Sequence, residues 1–480
     1  MDTDSRNDEI LCPLREGALK EPGAPAVVGV GGKTSYAELD ARVSAAARRL
    51  RDMGCEAGTR VALHLTTDER YLVILLALFR LGAVASPVST RLPPRGVSSL
   101  VRRAGCSILV SEDESLTDAV SLDDLLLLES SIGTESEPSD RLWLPLDRDA
   151  TVVFTSGSSG SPKAALHTLG NHYYSALGSR SNIELSGGDR WLLSLPLYHV
   201  GGLSILFRCL LAGATIVIPE PGASLGRSIP AFGITHLSLV ATQLKRLLEE
   251  RVDLGGLKAI LLGGGPIPGS LVDEAVSRNL PFHTSYGLTE MSSQATTTPP
   301  GATSSLLHTA GRVLPHREVS IAGDGEVLVR GETLFAGYIE EDGLNRAIDE
   351  AGWFHTGDLG ELDDEGYLRI LGRKDNLFVS GGENVQPEEI EETLGRLASV
   401  ERAVVAPAPD VNFGERPVAF VLAADDSVTP DILIRELGDE LPRFKIPVAF
   451  YEWPEDADPG KVKVDRPFFR DLALRMLGGT

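Results

Sequence analysis

The residues best suited to chemistry lie in one short segment, TVVFTSGSSGSPKAALHT (151–168). A strand is predicted to end at Phe154, and a loop of hydroxyls and glycines follows it as far as Lys163. Glycines let backbone N–H groups turn toward an anion, hydroxyls add donors and the lysine adds charge, so the loop suits a polyphosphate, although Ser/Gly runs also form linkers. It is not a Walker loop, which requires Lys-Ser/Thr directly after the last glycine. The candidate phosphate-binding residues are Thr155, Ser156, Gly157, Ser158, Ser159, Gly160 and Lys163.

Three further segments could complete a nucleotide site. YGLTEMSS offers Tyr286 for stacking on a base and the carboxylate of Glu290 for Mg²⁺ on phosphates. GGGPIP (263–268) follows a predicted strand, and its glycines would let the backbone approach a flat ring closely. WFHTGDLG places Asp358 in a Gly-flanked turn, where a carboxylate could accept both hydroxyls of a ribose. Each signal is weak alone, because Tyr-Gly pairs and turn aspartates are ordinary loop features.

The bulk composition restricts the setting of this chemistry. A chain of 480 residues is too long for one core, so we expect at least two domains. The formal net charge of −23 opposes nucleic-acid binding and requires local positive groups for an anionic nucleotide. The four scattered cysteines show no zinc spacing, which favours a reducing cytoplasm. The N-terminus is acidic and polar, unlike a signal peptide, and no apolar run approaches the ~20 residues of a membrane span.

The elements that position these residues follow an α/β pattern. Apolar strands alternate with helices, as in VALHL (61–65), a helix over 71–82 and AVASPV (83–88), which predicts parallel sheets covered on both faces. Ser35 with Glu38 predicts a capped helix start.

The pattern changes late in the chain. Short strands predict a β-rich subdomain that ends with GYLRILGR (366–373), and a helix–strand–strand–helix unit follows. We therefore predict a large N-terminal domain over 1–374, holding the ATP and acid site, and a small mobile α+β domain over 375–480.

Taken in order, these segments resemble the adenylate-forming superfamily of acyl-CoA synthetases, luciferases and non-ribosomal adenylation domains. The resemblance covers essentially the whole chain and includes the phosphate loop, YGLTE, the GD turn, GRKD (372–375) and PGKVKVDR (459–466). It implies ATP-dependent activation of a carboxylic acid as an acyl-adenylate, followed by transfer to a thiol. ATP, Mg²⁺ and coenzyme A are the cofactors and co-substrates that it implies.

The resemblance also implies roles for individual residues. The phosphate loop with Lys163 would hold the β- and γ-phosphates, Thr289 would contact the α-phosphate and Glu290 would bind Mg²⁺. Asp358 would hold the ribose, with Arg373 beside it. The residues implied to surround the adenine are Gly264, Gly265, Pro266, Tyr286 and Gly287.

The same resemblance makes Asp375 a hinge about which the small domain rotates. Gly381 and Gly382 would then line a thiol channel.

A lysine near the C-terminus would be catalytic. The family places it three residues before an arginine, which Lys463 satisfies with Arg466 and Lys461 does not. The family's usual preceding glycine is replaced by Val462, whereas Lys461 does follow a glycine.

Segments in the middle of the chain indicate which carboxylic acid is the substrate. Residues 189–218, 235–248 and 375–391 most resemble the o-succinylbenzoate–CoA ligases of menaquinone biosynthesis. That acid carries two carboxylates, of which one is activated and the other must be recognised. Arg208 lies in the apolar stretch SILFRCLLAG, where a guanidinium is unfavourable unless an anion meets it. A structural salt bridge or a snorkelling arginine is the alternative.

His199 is expected at the entrance of the acyl pocket, with a part in catalysis and substrate binding. A helix-capping or core histidine is the alternative interpretation. Gly201 and Thr242 are further expected substrate contacts, although Gly201 and Gly202 stand where some relatives carry a serine.

Three other functions stay open at this point. Another aryl or fatty acid could be the substrate, and a carrier-protein thiol could replace that of CoA. A non-catalytic nucleotide sensor would lack the pairing of Lys463 with Glu290, which is present. A homo-oligomer is possible, and the expected partners are small molecules, with neither nucleic acid nor a membrane span.

Overall fold

The computed structural model describes residues 8–116, 119–122, 142–155, 162–381, 383–410, 413–424, 428–459 and 464–477. The α-helices of these ranges are α1 (Pro13–Lys20), α2 (Tyr36–Asp52), α3 (Glu69–Leu81), α4 (Pro94–Arg103), α5 (Leu169–Arg180), α6 (Val200–Ala212), α7 (Leu225–Phe232), α8 (Ala241–Glu249), α9 (Gly269–Ser277), α10 (Ser304–Leu307), α11 (Pro387–Gly395), α12 (Pro430–Glu440) and α13 (Arg466–Leu477).

The strands of the same ranges are β1 (Glu9–Leu11), β2 (Pro25–Gly29), β3 (Gly32–Ser35), β4 (Arg60–His64), β5 (Val84–Pro87), β6 (Ile108–Ser111), β7 (Val120–Ser121), β8 (Trp143–Pro145), β9 (Asp149–Thr155), β10 (Lys163–Thr168), β11 (Arg190–Leu192), β12 (Thr215–Val217), β13 (His236–Leu239), β14 (Ala259–Leu262), β15 (Phe282–Leu288), β16 (Ser293–Thr297), β17 (Arg312–Val313), β18 (Arg317–Ile321), β19 (Glu326–Gly331), β20 (Gly337–Glu340), β21 (Gly343–Asn345), β22 (Phe354–Leu362), β23 (Leu368–Arg373), β24 (Phe378–Ser380), β25 (Glu383–Val385), β26 (Val400–Asp410), β27 (Gly414–Ala423) and β28 (Phe450–Glu452).

Two large sheets carry the first three-quarters of the chain. Their strand orders are β21-β20-β10-β9-β5-β4-β6-β7 and β17-β16-β15-β14-β13-β11-β12-β2-β3. The central pairs, such as β4 with β5 and β13 with β14, are parallel, and antiparallel pairs lie toward the edges. Parallel neighbours need crossover helices, and these helices cover the sheets, which confirms the predicted α/β class.

The largest core cluster packs α2, α3 and α6 against these sheets. In α3 every residue from Tyr71 to Phe79 is buried, as a helix between apolar layers requires. Helix α2 begins with the predicted capping box, in which the Ser35 hydroxyl accepts from the Glu38 N–H and the Glu38 carboxylate accepts from the Ser35 N–H.

The β-rich region is a four-stranded antiparallel sheet in the order β18-β19-β22-β23. It ends at Arg373, and a 3₁₀ turn (Lys374–Asn376) leads into a smaller sheet of β25-β24-β27-β26 with β28 beside β27. That sheet has a core cluster of its own with α11 and α12. The division into two domains at Lys374 stays a prediction. Among the described residues, no helix is long and apolar enough to cross a membrane.

Candidate active site

The candidate adenine residues meet where neighbouring strands end. Strands β14 and β15 are parallel, so the turn after β14 lies beside the end of β15, which holds Tyr286 and Gly287. Gly264 has φ = +85°, a conformation that favours glycine, and with Gly265 and Pro266 it is exposed. Gly287 must be a glycine, because a Cβ there would lie 2.1 Å from the Ser293 carbonyl oxygen. The sequence thus places an open backbone turn beside an aromatic side chain.

The candidate ribose acceptor, Asp358, is held at both oxygens. The Tyr286 hydroxyl donates to Oδ2 at 2.6 Å, and Arg373 Nη1 donates to Oδ1 at 3.0 Å. Burial, and then the Asp358 charge, raise the pKa of Tyr286 well above its usual value, so this hydroxyl stays a donor. Gly357 has φ = +71°, and a Cβ there would lie 2.9 Å from Arg373 Nη2. The positive φ therefore favours glycine at this position.

Strands β9 and β10, which flank the phosphate loop in sequence, pair as the two arms of a β-hairpin. Thr155 pairs with Lys163 across β9 and β10, so β9 runs one residue beyond the predicted end at Phe154. The loop residues between them, Ser156, Gly157, Ser158, Ser159 and Gly160, lie outside the described residues. The hairpin brings Lys163 close to the candidate nucleotide-binding residue Glu290, by way of Tyr338.

Lys163 meets Glu290 through a residue that the sequence did not reveal, Tyr338. The Lys163 ammonium lies 4.8 Å from the centre of the Tyr338 ring, and the Tyr338 hydroxyl donates to Glu290 Oε1 at 2.5 Å. Nearby, His167 Nε2 lies 2.7 Å from the Thr289 carbonyl oxygen. Burial lowers the pKa of His167 to about 4, so its ring is neutral and donates to that oxygen.

Glu290 fits a Mg²⁺ ion that is shared with phosphates. Its carboxylate is half-buried and forms no ion pair with the described residues. Those residues also contain no cluster of three or more potential ligands of the His, Cys, Asp or Glu type. Mg²⁺ is commonly held by one or two carboxylates, with substrate phosphates and waters as the other ligands. One carboxylate beside a phosphate loop suits that arrangement.

Arg208 is fully buried in α6, with 1 % of its surface exposed. Its Nη2 donates to Gln294 Oε1 at 2.7 Å and to Ser293 Oγ at 3.3 Å, and the guanidinium lies 5.3 Å from the centre of the Trp191 ring. Nε and Nη1 have no hydrogen-bond partner in the described part of the chain. Burial lowers the pKa of Arg208 to about 10, which leaves it charged at neutral pH.

Two alternative interpretations of Arg208, a structural salt bridge and a snorkelling arginine, do not match its surroundings. A snorkelling arginine would reach solvent, and no described carboxylate forms a salt bridge with Arg208. Ser204, which the sequence also did not reveal, lies one helical turn earlier on the same face, and its hydroxyl is 3.4 Å from that of Ser293. The two nitrogens of Arg208 without a described partner are consistent with anion binding, and that role stays a prediction.

A second buried guanidinium, that of Arg317, lies close enough to Arg208 for the positive charge of Arg208 to lower the pKa of Arg317. It is 5 % exposed, and it donates to the backbone carbonyls of Pro315, Gln294, Tyr174 and Ser175. Burial first, and then the charge of Arg208, lower the pKa of Arg317 to about 9. No local signal marks Arg317 or Gln294 in the sequence, because the contacts of Arg317 to Tyr174 and Ser175 and that of Gln294 to Arg208 join distant segments.

The short segment 289–294 joins the candidate nucleotide-binding residues to the residues around Arg208. Thr289 and Glu290 form a 3₁₀ turn on the nucleotide side, and β16 begins two residues after that turn with Ser293 and Gln294 beside Arg208. An acid held by Arg208 would therefore lie near the candidate contact to the α-phosphate.

The other expected substrate contacts lie at helix starts. His199 is the N-cap residue of α6, yet it is exposed and makes no side-chain capping bond, so it is neither a capping nor a core histidine. Gly201 follows in the first turn, where its carbonyl accepts from the Ser204 hydroxyl at 2.9 Å. Thr242 is half-buried in the first turn of α8, directly after β13. No described hydrogen bond joins His199 or Thr242 to the residues around Arg208.

Two residues of the predicted hinge and channel, Asp375 and Gly381, lie near the junction with the small sheet. Asp375 is exposed, and its Oδ2 lies 3.3 Å from Arg373 Nη2. Gly381 has φ = +61°, and a Cβ there would lie 2.6 Å from the Phe413 ring. Gly382 and Lys463 lie outside the described residues.

The segment after Lys463 is firmly held. Arg466 forms two hydrogen bonds with the Glu391 carboxylate, at 2.9 and 2.7 Å, and these fix the start of α13 to α11.

The chain is similar to known proteins over most of its length. Residues 14–339 match the family model of the AMP-binding enzymes, and residues 389–457 match that of the AMP-binding enzyme C-terminal domain. A 2-succinylbenzoate–CoA ligase of Bacillus velezensis is 36 % identical over 423 residues, which cover 85 % of this chain and 86 % of the relative. One from Bacillus licheniformis is 34 % identical over 459 residues, with 91 % and 95 % covered.

Solved structures agree in fold. The o-succinylbenzoate CoA synthetase of Bacillus subtilis in complex with the acyl-adenylate OSB-AMP has a TM-score of 0.86 at 31 % identity, with 96 % of this chain and 98 % of that chain covered. The same enzyme in complex with ATP and magnesium has a TM-score of 0.85 at 31 % identity, with 96 % and 99 % covered.

Proposed function

The chain belongs to the AMP-binding enzyme family, and we propose that within this family it is a 2-succinylbenzoate–CoA ligase of menaquinone biosynthesis. It activates one carboxylate of the acid with ATP, releases pyrophosphate, and then forms the thioester with CoA and releases AMP. The observation that carries the substrate class is the buried Arg208, which has two guanidinium nitrogens without a described hydrogen-bond partner and no described counterion. A diacid supplies the missing anion.

In the first half-reaction, an oxygen of the acid carboxylate forms a bond to the α-phosphorus of ATP. The bond between the α- and β-phosphates breaks, and pyrophosphate leaves with the electron pair. Charge grows on the phosphoryl oxygens, so fixed positive groups at this point accelerate the reaction most. Lys163 and the hairpin loop hold the outer phosphates, Thr289 contacts the α-phosphate, and Lys463 brings a further positive charge. When bound, Mg²⁺ supplies charge neutralisation at the phosphates, and Glu290 would hold it.

The nucleoside and the second carboxylate fix the geometry of the attack. Asp358 accepts the ribose hydroxyls while Tyr286 and Arg373 keep its oxygens in place. Arg208 holds the carboxylate that does not react, and His199 lies at the pocket entrance. Holding both reactants in this way turns an encounter of two molecules into a reaction within one complex.

In the second half-reaction, the small domain rotates about Asp375. Lys463 withdraws, and the Gly381–Gly382 face lines the channel for the CoA thiol. The sulfur attacks the acyl carbonyl, the bond to the phosphate oxygen breaks, and AMP leaves. One mobile domain then serves both steps.

Asp375→Pro, which restricts φ, should slow one half-reaction far more than the other, and equal losses in a folded protein would contradict a hinge there.

A cytoplasmic setting with small-molecule partners completes the proposal. The four cysteines are all free, which suits a reducing compartment. The net charge of −23 gives nucleic acid no basic face to bind.

The decisive experiment is a pyrophosphate-release screen over aryl acids, with and without CoA. 2-Succinylbenzoate should give the highest kcat/KM, and its CoA thioester should form with AMP. Benzoates without the second carboxylate should react poorly. A preference for an uncharged aryl or fatty acid, or thioester formation only on a carrier protein, would contradict the proposal.

A further inference from the structure

Tyr338 has a buried ring, and its hydroxyl makes a polar contact that the proposed chemistry leaves unused. The ring packs edge-on against Phe335, with the centroids 4.7 Å apart, and 8 % of the residue is exposed. Packing explains an aromatic ring at this position but gives no reason for a hydroxyl. The hydroxyl donates to Glu290 Oε1 at 2.5 Å, across 48 residues of sequence.

The contact has a consequence for Glu290. It fixes one carboxylate oxygen, while Oε2 has no hydrogen-bond partner among the described residues. A phenol is neutral, so it orients the carboxylate without cancelling its charge, as an arginine or lysine would. Glu290 therefore keeps a free, charged oxygen for a cation.

The aromatic ring of Tyr338 contacts a second charged residue, Lys163. The ammonium lies 4.8 Å from the ring centre, within the range of a cation–π contact, which is attractive but leaves the ammonium's own N–H donors available. Strand β20 pairs with β10 at Tyr338 and Ala165, so the tyrosine is anchored on the strand that begins with Lys163. One side chain thus sets both an anionic and a cationic group beside the phosphate hairpin.

We propose that Tyr338 is a positioning residue for the phosphate end of the nucleotide: its hydroxyl sets Glu290 for Mg²⁺, and its ring sets Lys163 for the outer phosphates. The proposal rests on the ATP chemistry proposed above and is independent of which acid is activated.

Two variants separate these two contacts. Tyr338→Phe keeps the ring and removes the hydroxyl, whereas Tyr338→Leu removes both. Tyr451→Phe, on the small sheet and away from the nucleotide residues, is the matched control. ATP binding is measured by titration calorimetry without acid, once with Mg²⁺ and once with EDTA.

Tyr338→Phe should weaken ATP binding in Mg²⁺ by about ten-fold, as expected for the loss of a hydrogen bond to a charged group, and leave binding in EDTA within about two-fold of wild type. Tyr338→Leu should weaken binding in both conditions. Thioester formation from pre-made acyl-adenylate should be unchanged in Tyr338→Phe. Equal losses in Mg²⁺ and EDTA, loss of the thioester step, or wild-type binding would each overturn the proposal.

A double-mutant cycle with Glu290→Gln tests whether Tyr338 acts through Glu290. The double variant Tyr338→Phe/Glu290→Gln should bind ATP in Mg²⁺ no worse than Glu290→Gln alone, and additive losses would overturn the proposal. Wild type that fails to bind ATP at all would instead contradict the proposed function.

Discussion

The proposed ribose contact and the two proposed ion contacts of this site differ in whether the charged residue has a counterion within the protein. Asp358, the proposed acceptor of a neutral ribose, is paired with Arg373 at 3.0 Å, so its charge is balanced within the protein. Glu290 and Arg208, the proposed contacts to a cation and to an anion, are oriented by neutral groups, the Tyr338 hydroxyl and the Gln294 amide. Under the proposed function, the protein neutralises a charge where the ligand is neutral and leaves it unbalanced where the ligand is charged.

The difference has a physical reason. A buried ion pair already satisfies both partners, so a ligand of either sign would have to displace one of them. A charge held only by neutral hydrogen bonds keeps most of its attraction for a counterion, although it destabilises the free protein. Arg208, with Arg317 nearby and no described carboxylate, is the extreme case. Under the proposed function, the second carboxylate of the acid is the counterion of Arg208.

The largest expected effect comes from Lys463, which we propose brings its positive charge to the nucleotide site for one step only. Lys463→Ala should slow adenylate formation by about a thousand-fold, since it removes positive charge from the transition state. The thioester step should stay near its wild-type rate, and both are measured separately with pre-made acyl-adenylate and CoA. Lys461→Ala is the control and should be mild; a reversed pattern would assign catalysis to Lys461.

Arg208 should give the next largest effect, and only on the acid. Removing one partner of a buried charge pair costs about 3–5 kcal/mol, or roughly a hundred- to a thousand-fold. Arg208→Ala should lower kcat/KM for 2-succinylbenzoate by that factor and leave the KM for ATP close to normal. Arg208→Lys should recover part of the loss, because an ammonium cannot reproduce the planar fork.

A benzoate without the second carboxylate separates recognition from folding. It should be a poor substrate of the wild type and hardly worse with Arg208→Ala. Equal damage to the monoacid and the diacid would make Arg208 structural, and the specific substrate would lose its main physical support.

Asp358 tests the balanced side of the comparison. Asp358→Asn replaces one acceptor oxygen by a donor, so the contacts to Tyr286, Arg373 and the ribose cannot all form. Hydrogen bonds to charged groups are worth about 1.5–3 kcal/mol, so the KM for ATP should rise roughly ten- to a hundred-fold. The KM for 2-succinylbenzoate should stay unchanged, and a similar rise in both would show that the residue acts through the whole site.

The smallest expected effect sharpens the comparison most. Gln294→Leu removes the neutral acceptor of Arg208 and should lower kcat/KM for the diacid about ten-fold, together with the Tm. Gln294→Glu supplies a counterion, so the Tm should rise while kcat/KM for the diacid still falls. A Gln294→Glu enzyme with wild-type activity would mean that the unbalanced charge of Arg208 has no importance for binding.

The candidate site residues could be proposed from the sequence because their signals are local. A strand followed by glycines, hydroxyls and Lys163 predicts an anion loop, whatever surrounds it. The alternation of apolar strands with helices likewise predicted the covered parallel sheets, because hydrophobic period and turn chemistry are properties of short segments. The predicted turn at Asp358 is wrong, because Gly357 and Asp358 lie within β22, where Asp358 pairs antiparallel with Arg373 of β23.

Tertiary structure decided which partner each charge receives. Tyr338 reaches Glu290 across 48 residues and Gln294 reaches Arg208 across 86, and the strand order of the two large sheets creates both contacts. No local pattern marks a tyrosine or a glutamine as such a partner, since the same side chains are common in any core or strand. The sequence by itself indicated the charged groups that we propose to meet the ligands; the fold determined whether each charge is balanced or left free, because a counterion is a neighbour in space.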